Sequence, residues 1–231
     1  MKSFIPVFLV LAASAIHAEI PASDYTRAIF SDDFSGEGFG KRWGHYKSSS
    51  VVKDGVLHGI TAETSDHPAV DNIVIPGERD LEVSVKFQYT SDKAQGFNIW
   101  FDDKNYKGSH AGHICSVVVN PGSVNMSDAK TGRFMNEIYE KSKATPPTLT
   151  AEDKKLLTTK SKNVKVELAR KEWHTLVVRT KGDEVDTIID GKDVGSFKSE
   201  GISHDTKTLV SITTNRVDVI YDDFSIKGVA K

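Results

Sequence analysis

Leu81-Glu-Val-Ser-Val-Lys-Phe-Gln-Tyr89 alternates without a break, with an apolar or aromatic residue at every odd position and a polar one at every even position. A strand points successive side chains to opposite sides, so this period of two describes a strand with one buried and one wet face. Shorter apolar runs stand at Asn72 to Ile75, Phe97 to Phe101 and Ile114 to Val119, with Gly, Asp, Asn and Pro between them. Later, Trp173-His-Thr-Leu-Val-Val-Arg179 and Glu184-Val-Asp-Thr-Ile-Ile189 flank Lys181-Gly-Asp183, and Asp190-Gly191 leads into Val194-Gly-Ser-Phe197. Asp-Gly supplies the positive φ of a tight primed turn, whose twist matches the strands it joins, so consecutive antiparallel hairpins are predicted. Asp54-Gly55 before Val56-Leu-His58 repeats the signal. The expected class is all-β, a sandwich of two antiparallel sheets.

One stretch breaks the pattern. From about 131 to 162 the chain turns rich in Lys, Glu and Thr around Pro146-Pro147, and Thr150-Ala-Glu-Asp153 reads as a helix start. Thr150 can cap free amides, while Glu152 and Asp153 suit the positive end of a helix. A second short helix is predicted near Phe134 to Lys141. The Lys-rich character reads either as a solvated face or as a surface for an acidic glycan.

Composition narrows the partners. Thirty Lys and Arg against 32 Asp and Glu leave no basic excess of the kind that marks a nucleic-acid or anionic-membrane binder. Lys2, the apolar run Phe4 to Ala13 and the small residues up to Ala18 form the three-part pattern of a secretory signal. Cleavage near Ala18 is expected, leaving one domain over 19–231 in the periplasm or outside the cell. The apolar run falls short of the roughly 20 residues that span a bilayer, so no membrane insertion is expected. With a single cysteine, Cys115, no intrachain disulfide can form and the fold must rest on packing.

Phe30-Ser-Asp-Asp-Phe-Ser-Gly36 with Trp43 near the start and Val219-Ile-Tyr-Asp-Asp-Phe-Ser-Ile-Lys-Gly228 near the end look like a pair. Together with Lys53-Asp-Gly-Val-Leu-His58 and Glu172-Trp-His-Thr-Leu176, they resemble the bacterial 3-keto-disaccharide hydrolase domain family over roughly residues 30 to 228. The resemblance implies a concanavalin A-like jelly roll, similar to family-sixteen glycoside hydrolases, whose first and last strands pair. It implies a carbohydrate partner as well. The Glu-x-Asp-x-x-Glu strand of family-sixteen glucanases is absent, and neighbours such as Asp102 and Asp103 point oppositely on a strand. A retaining pair of carboxylates about 5 Å apart is therefore not supplied by this chain's sequence.

The densest chemistry is Ser109-His-Ala-Gly-His-Ile-Cys115. His110 and His113 would face opposite sides of a regular strand, but Gly112 permits a bulge or an unusual φ that brings both imidazoles to one surface. Imidazole titrates near neutrality, so such a pair can move protons or ligate a divalent metal. His67, on a turn before the Asn72 strand, matches an early pocket histidine of the resembling family and makes a third nitrogen, so a metal held by His67, His110 and His113 is one expectation. Asn98 and Trp100 alternate with Phe97, Ile99 and Phe101; that face reads either as a sugar surface of amide and indole or, for Trp100, as core. Arg133-Phe-Met-Asn-Glu-Ile-Tyr139 resembles a stretch that accompanies the His block in the family, which offers Glu137 as general base and Asn136 as a substrate contact. Asp103 is a further polar candidate. Cys115, two residues after His113, would share its strand face and form a Cys–His pair, or else pack as a small hydrophobe.

Two readings follow. One is an exported enzyme acting on glycosides or 3-keto-glycosides with His113, His110 and Glu137 as acid–base groups; the other is a glycan-binding module on the same sheet.

Overall fold

A computed structural model describes residues 19–216 and 219–230; the expected leader, 1–18, lies outside the described residues. Fifteen strands and two α-helices are present among them. In chain order these are β1 (Arg27–Asp32), β2 (Trp43–Tyr46), β3 (Val51–Lys53), β4 (Val56–Gly59), β5 (Ala69–Glu78), β6 (Leu81–Tyr89), β7 (Phe97–Asp102), β8 (His113–Asn120) and β9 (Ser123–Asp128). After helices α1 (Asn136–Lys143) and α2 (Ala151–Thr159) come β10 (Ser161–Lys165), β11 (His174–Lys181), β12 (Glu184–Ile189), β13 (Lys192–Lys198), β14 (Lys207–Thr214) and β15 (Val219–Gly228).

The strands form two antiparallel sheets. The first runs β13-β12-β11-β6-β15-β4-β3, with β1 also on β15, and the second runs β10-β9-β8-β7-β14-β5-β2. This is the two-sheet antiparallel sandwich expected from the alternation, in the concanavalin A-like form that the family resemblance implies. The residues of β6 at positions 81, 83, 85, 87 and 89 are all buried, and they meet the buried face of the second sheet. Phe87 lies 4.8 Å from Phe97, ring to ring, and the Tyr89 hydroxyl donates to the Val119 carbonyl at 3.0 Å. Each large apolar side chain buried in this way contributes about 1.5–3 kcal/mol.

Strands β1 and β15 pair from Arg27↔Gly228 to Asp32↔Phe224, so the two similar ends of the sequence lie side by side. The Trp43 indole N–H donates to Asp32 at 2.8 Å, and its rings pack against Phe30 and Phe224 at 5.5 and 5.3 Å. Those motif residues lock the sheet edge. Asp54 and Gly55, and again Asp190 and Gly191, all have positive φ, as the two hairpin turns require.

Helix α2 begins in a capping box: Asp153 N–H donates to Thr150 Oγ1, and Thr150 N–H donates back to the Asp153 carboxylate. Helix α1 starts at Asn136, two residues later than the sequence suggests. The amides of Phe134 and Met135 are already taken by turns to Ala129 and Gly132, and the Phe134 carbonyl accepts from His110 N–H. Both helices contribute to a cavity on the outer face of the second sheet. That face carries small polar side chains: Asn98 on β7, Ser116 on β8, Asn125 and Ser127 on β9, and Ser211 and Thr213 on β14.

Candidate active site

The cavity has a volume of about 900 Å³. Its floor is the outer face just described, and Phe134, Tyr139 and Leu157 of the helical insertion form one wall. His67, Asn98, Trp100, His110 and His113 all line it.

His113 opens β8 next to the last residue of β7. The register between these strands slips, so that Phe101 faces Cys115 but Asp102 faces His113, leaving Ile114 as an extra residue. Such a bulge reverses the side to which the residue before it points. His113 therefore turns to the cavity while Cys115 packs in the core. His113 Nδ1 lies 2.7 Å from Asp102 Oδ1. When Asp102 is ionised its carboxylate can only accept, so the Nδ1 proton then lies in this bond and the lone pair is on Nε2. Nε2 has no hydrogen-bond partner among the described residues. Burial pushes the Asp102 carboxyl above its ordinary range, and the bond and charge of His113 act against that rise.

His110 precedes His113 on a single 3₁₀ turn, His110–Gly112, with positive φ at Ala111 and Gly112. A Cβ on Gly112 would lie 2.1 Å from the Asp103 carbonyl oxygen, so the turn admits only glycine there. The turn brings the two imidazoles to one surface, 6.1 Å apart. His110 stacks on Tyr139 at 3.9 Å, with the rings 13° from parallel. Burial, followed by the neighbouring His113, lowers its pKa, which favours the neutral ring. Trp100 packs on His113 at 4.3 Å and edge-on to Phe134 at 5.3 Å, on the cavity face and not in the core. Asn98 Oδ1 is buried with no hydrogen-bond partner among the described residues.

Several expectations need correction. Asp103 does not reach the cavity: it binds His204 and the hydroxyls of Thr206 and Thr208, because it follows Asp102 directly and points the other way. Asn136 spends its amide on the Lys107 carbonyl, and the Glu137 carboxylate is 69% exposed in an i,i+4 pair with Lys141. Both sit on the first turn of α1, facing away from the cavity that Ile138 and Tyr139 of the same helix line. Cys115 does not share the face of His113, for the bulge separates them, and burial pushes its thiol up to about 12. The three-histidine metal set is not assembled. His67, His110 and His113 all line the cavity, but among the described residues no three His, Cys, Asp or Glu side chains are arranged to hold a metal ion.

Asp102, Phe134 and Tyr139 are the site residues that sequence reasoning passed over. Asp102 was visible as a carboxylate ending a strand, but only the bulge makes it a partner of His113. The aromatic pair stood within the Arg133 to Tyr139 stretch, where the resemblance drew attention to Asn136 and Glu137 instead.

The family model for the 3-keto-alpha-glucoside-1,2-lyase-like domain matches residues 29–227. The chain belongs to that family. No curated protein matches this lyase-like domain in sequence. Among solved structures it is similar to a non-specific endo-beta-1,3(4)-glucanase of family GH16, with a TM-score of 0.60 and 10% identity over 92% of this chain and 95% of that one. It is also similar to the laminarinase from Rhodothermus marinus, with a TM-score of 0.60 and 11% identity over 89% and 98%. A sialidase superposes with a TM-score of 0.59 and 14% identity over 90% of this chain, which spans only 19% of that protein. These likenesses establish the fold of the lyase-like domain as a jelly roll of the kind found in glycoside hydrolases.

Proposed function

We propose that this lyase-like domain binds carbohydrate in the cavity and cleaves 3-keto-glycosides by elimination, with His113 as the base. The observation that carries the reading is the Asp102–His113 hydrogen bond, which leaves Nε2 as an unpartnered lone pair on a side chain lining the cavity.

A ketone at C3 acidifies the C2 proton, since the charge left behind spreads onto the ketone oxygen. Nε2 takes that proton, the C2–H electron pair becomes the C1=C2 bond, and the C1–O bond breaks with its electrons going to the aglycone oxygen. The imidazolium returns the proton to that oxygen, so the base is regenerated. Asp102 holds the tautomer and stabilises the imidazolium while it exists. His110, whose neutral form burial favours, supplies an N–H donor for the ketone oxygen, and Asn98 Oδ1 accepts from a ring hydroxyl. Glu137 has no role in this scheme, and no step runs through a metal.

Aglycone release from an aryl 3-keto-glucoside is the test. Release by the mature protein that disappears in His113→Ala supports the reading; release that persists in the variant overturns it. Glycan binding without turnover would identify a binding module on the same sheet. We also place the working protein, as one domain, outside the cytoplasm after cleavage near Ala18, which N-terminal sequencing of the exported material tests.

A further inference from the structure

Three cationic side chains line the cavity: Arg133, Lys143 and Lys160. Lys160 is nearly buried and engaged, 3.0 Å from Glu200 and 3.9 Å from Asp128. Arg133 and Lys143 have no ion pair among the described residues. Arg133 lies over the Phe134 ring at 5.8 Å and Lys143 over the Tyr139 ring at 5.7 Å. Those two rings also flank the imidazoles, Phe134 at 4.7 Å from His113 and Tyr139 at 3.9 Å from His110. The unpaired cations thus stand one ring away from the proposed chemistry.

The carboxylates lining the same cavity do not neutralise them. Asp128 is buried and accepts hydrogen bonds from Thr131 N–H, the Thr131 and Ser199 hydroxyls and Gly201 N–H. Asp102 is committed to His113. Glu140, on α1, makes no ion pair with Arg133 or Lys143 among the described residues, and its charge acts instead on His110. A cleft lined by one uncompensated sign of charge favours a ligand of the opposite sign, and Arg adds a planar fork that fits a carboxylate or sulfate.

We propose that the sugar bound here carries an anionic substituent, a carboxylate or a sulfate ester, that pairs with Arg133 and Lys143. The inference rests on the carbohydrate reading above and adds the substrate class.

Binding, measured by calorimetry on the mature protein, tests it with three probes: cellotetraose, trigalacturonate and a sulfated carrageenan tetrasaccharide. At least one acidic probe should bind about 10-fold more tightly than cellotetraose at low salt, an advantage that shrinks as NaCl screens the pairing. Whether trigalacturonate or the carrageenan shows it decides between carboxylate and sulfate. Arg133→Gln with Lys143→Gln, at exposed positions where folding is checked by thermal melting, should bring the acidic probe down to the level of cellotetraose. Cellotetraose binding as tightly as both acidic probes overturns this inference alone, as does an acidic preference that survives the double substitution. Failure of all three probes to bind overturns the carbohydrate reading and this inference together.

Discussion

His113 and Asp102 are cross-strand neighbours, joined Nδ1 to Oδ1 at 2.7 Å, because one extra residue, Ile114, is accommodated between the registers of β7 and β8. Without that slip His113 and Cys115 would share a side. With it, an imidazole and its orienting carboxylate meet on the cavity side while the thiol goes to the core.

Asp102→Asn should separate the role of the dyad from its cost. Turnover of a 3-keto-glucoside is expected to fall by about 10²-fold or more, the usual scale of acid–base catalysis. Stability should move the other way with pH. An acid whose folded pKa is raised stabilises the fold when protonated and loses that contribution as pH rises through the folded value. Burial raises Asp102 above 3.8, so the melting temperature of the Asn variant relative to the parent should increase as pH climbs from about 4. Melting curves across that range check the sign.

At Gly112 the backbone has φ +75°, and an added Cβ would meet the Asp103 carbonyl. Gly112→Ala should cost about 1–3 kcal/mol through backbone strain and disturb the turn that aligns His110 with His113. Urea unfolding and turnover should both register it.

Cys115→Ala and Glu137→Gln should each leave turnover within about 2-fold of the parent. The thiol is buried in the core and the carboxylate is exposed beside Lys141. Cys115→Ala alone should lower stability, by about 1–2 kcal/mol, as removal of a buried group does. Steady-state kinetics and denaturation give both answers.

His174 and Asp190 form a second His–Asp pair at 2.7 Å, behind the late hairpin and outside the cavity. Burial acts to lower the His174 pKa, but bonds to Asp190 and the Ala169 carbonyl outweigh it and raise it above 6.5. Burial likewise acts to raise Asp190, and hydrogen bonds from His174 and Thr175 N–H carry it below 3.8. The histidine's contribution is complete below its unfolded value and lost at higher pH, and the aspartate's is complete above its unfolded value and lost at lower pH. Asp190→Asn, which tolerates the positive φ, should therefore lower the melting temperature most between about pH 4 and 6.5. The loss should be a few °C at most for a half-exposed partner.

Much of the sandwich could be read in the chain because its signals are local. The alternation at Leu81–Tyr89, the Asp-Gly turns and the Thr150 cap depend on neighbours a few residues away, and each has its place in the structure. The site depends on relations the sequence does not display. Gly112 announced an unusual turn, yet the bulge at Ile114 that recruits Asp102 and buries Cys115 is a property of two strands pairing. Glu137 failed for a similar reason: helix α1 starts late, at Asn136, and that phase presents Tyr139 to His110 and the carboxylate to water.

The proposed chemistry requires His113 to remove a proton from C2. Turnover of a 3-keto-glucoside deuterated at C2, compared with its protiated form, tests this most directly. A primary isotope effect on kcat/KM, with turnover lost in His113→Ala, is the predicted result. Equal rates for the two isotopologues together with undiminished turnover in His113→Ala would contradict it.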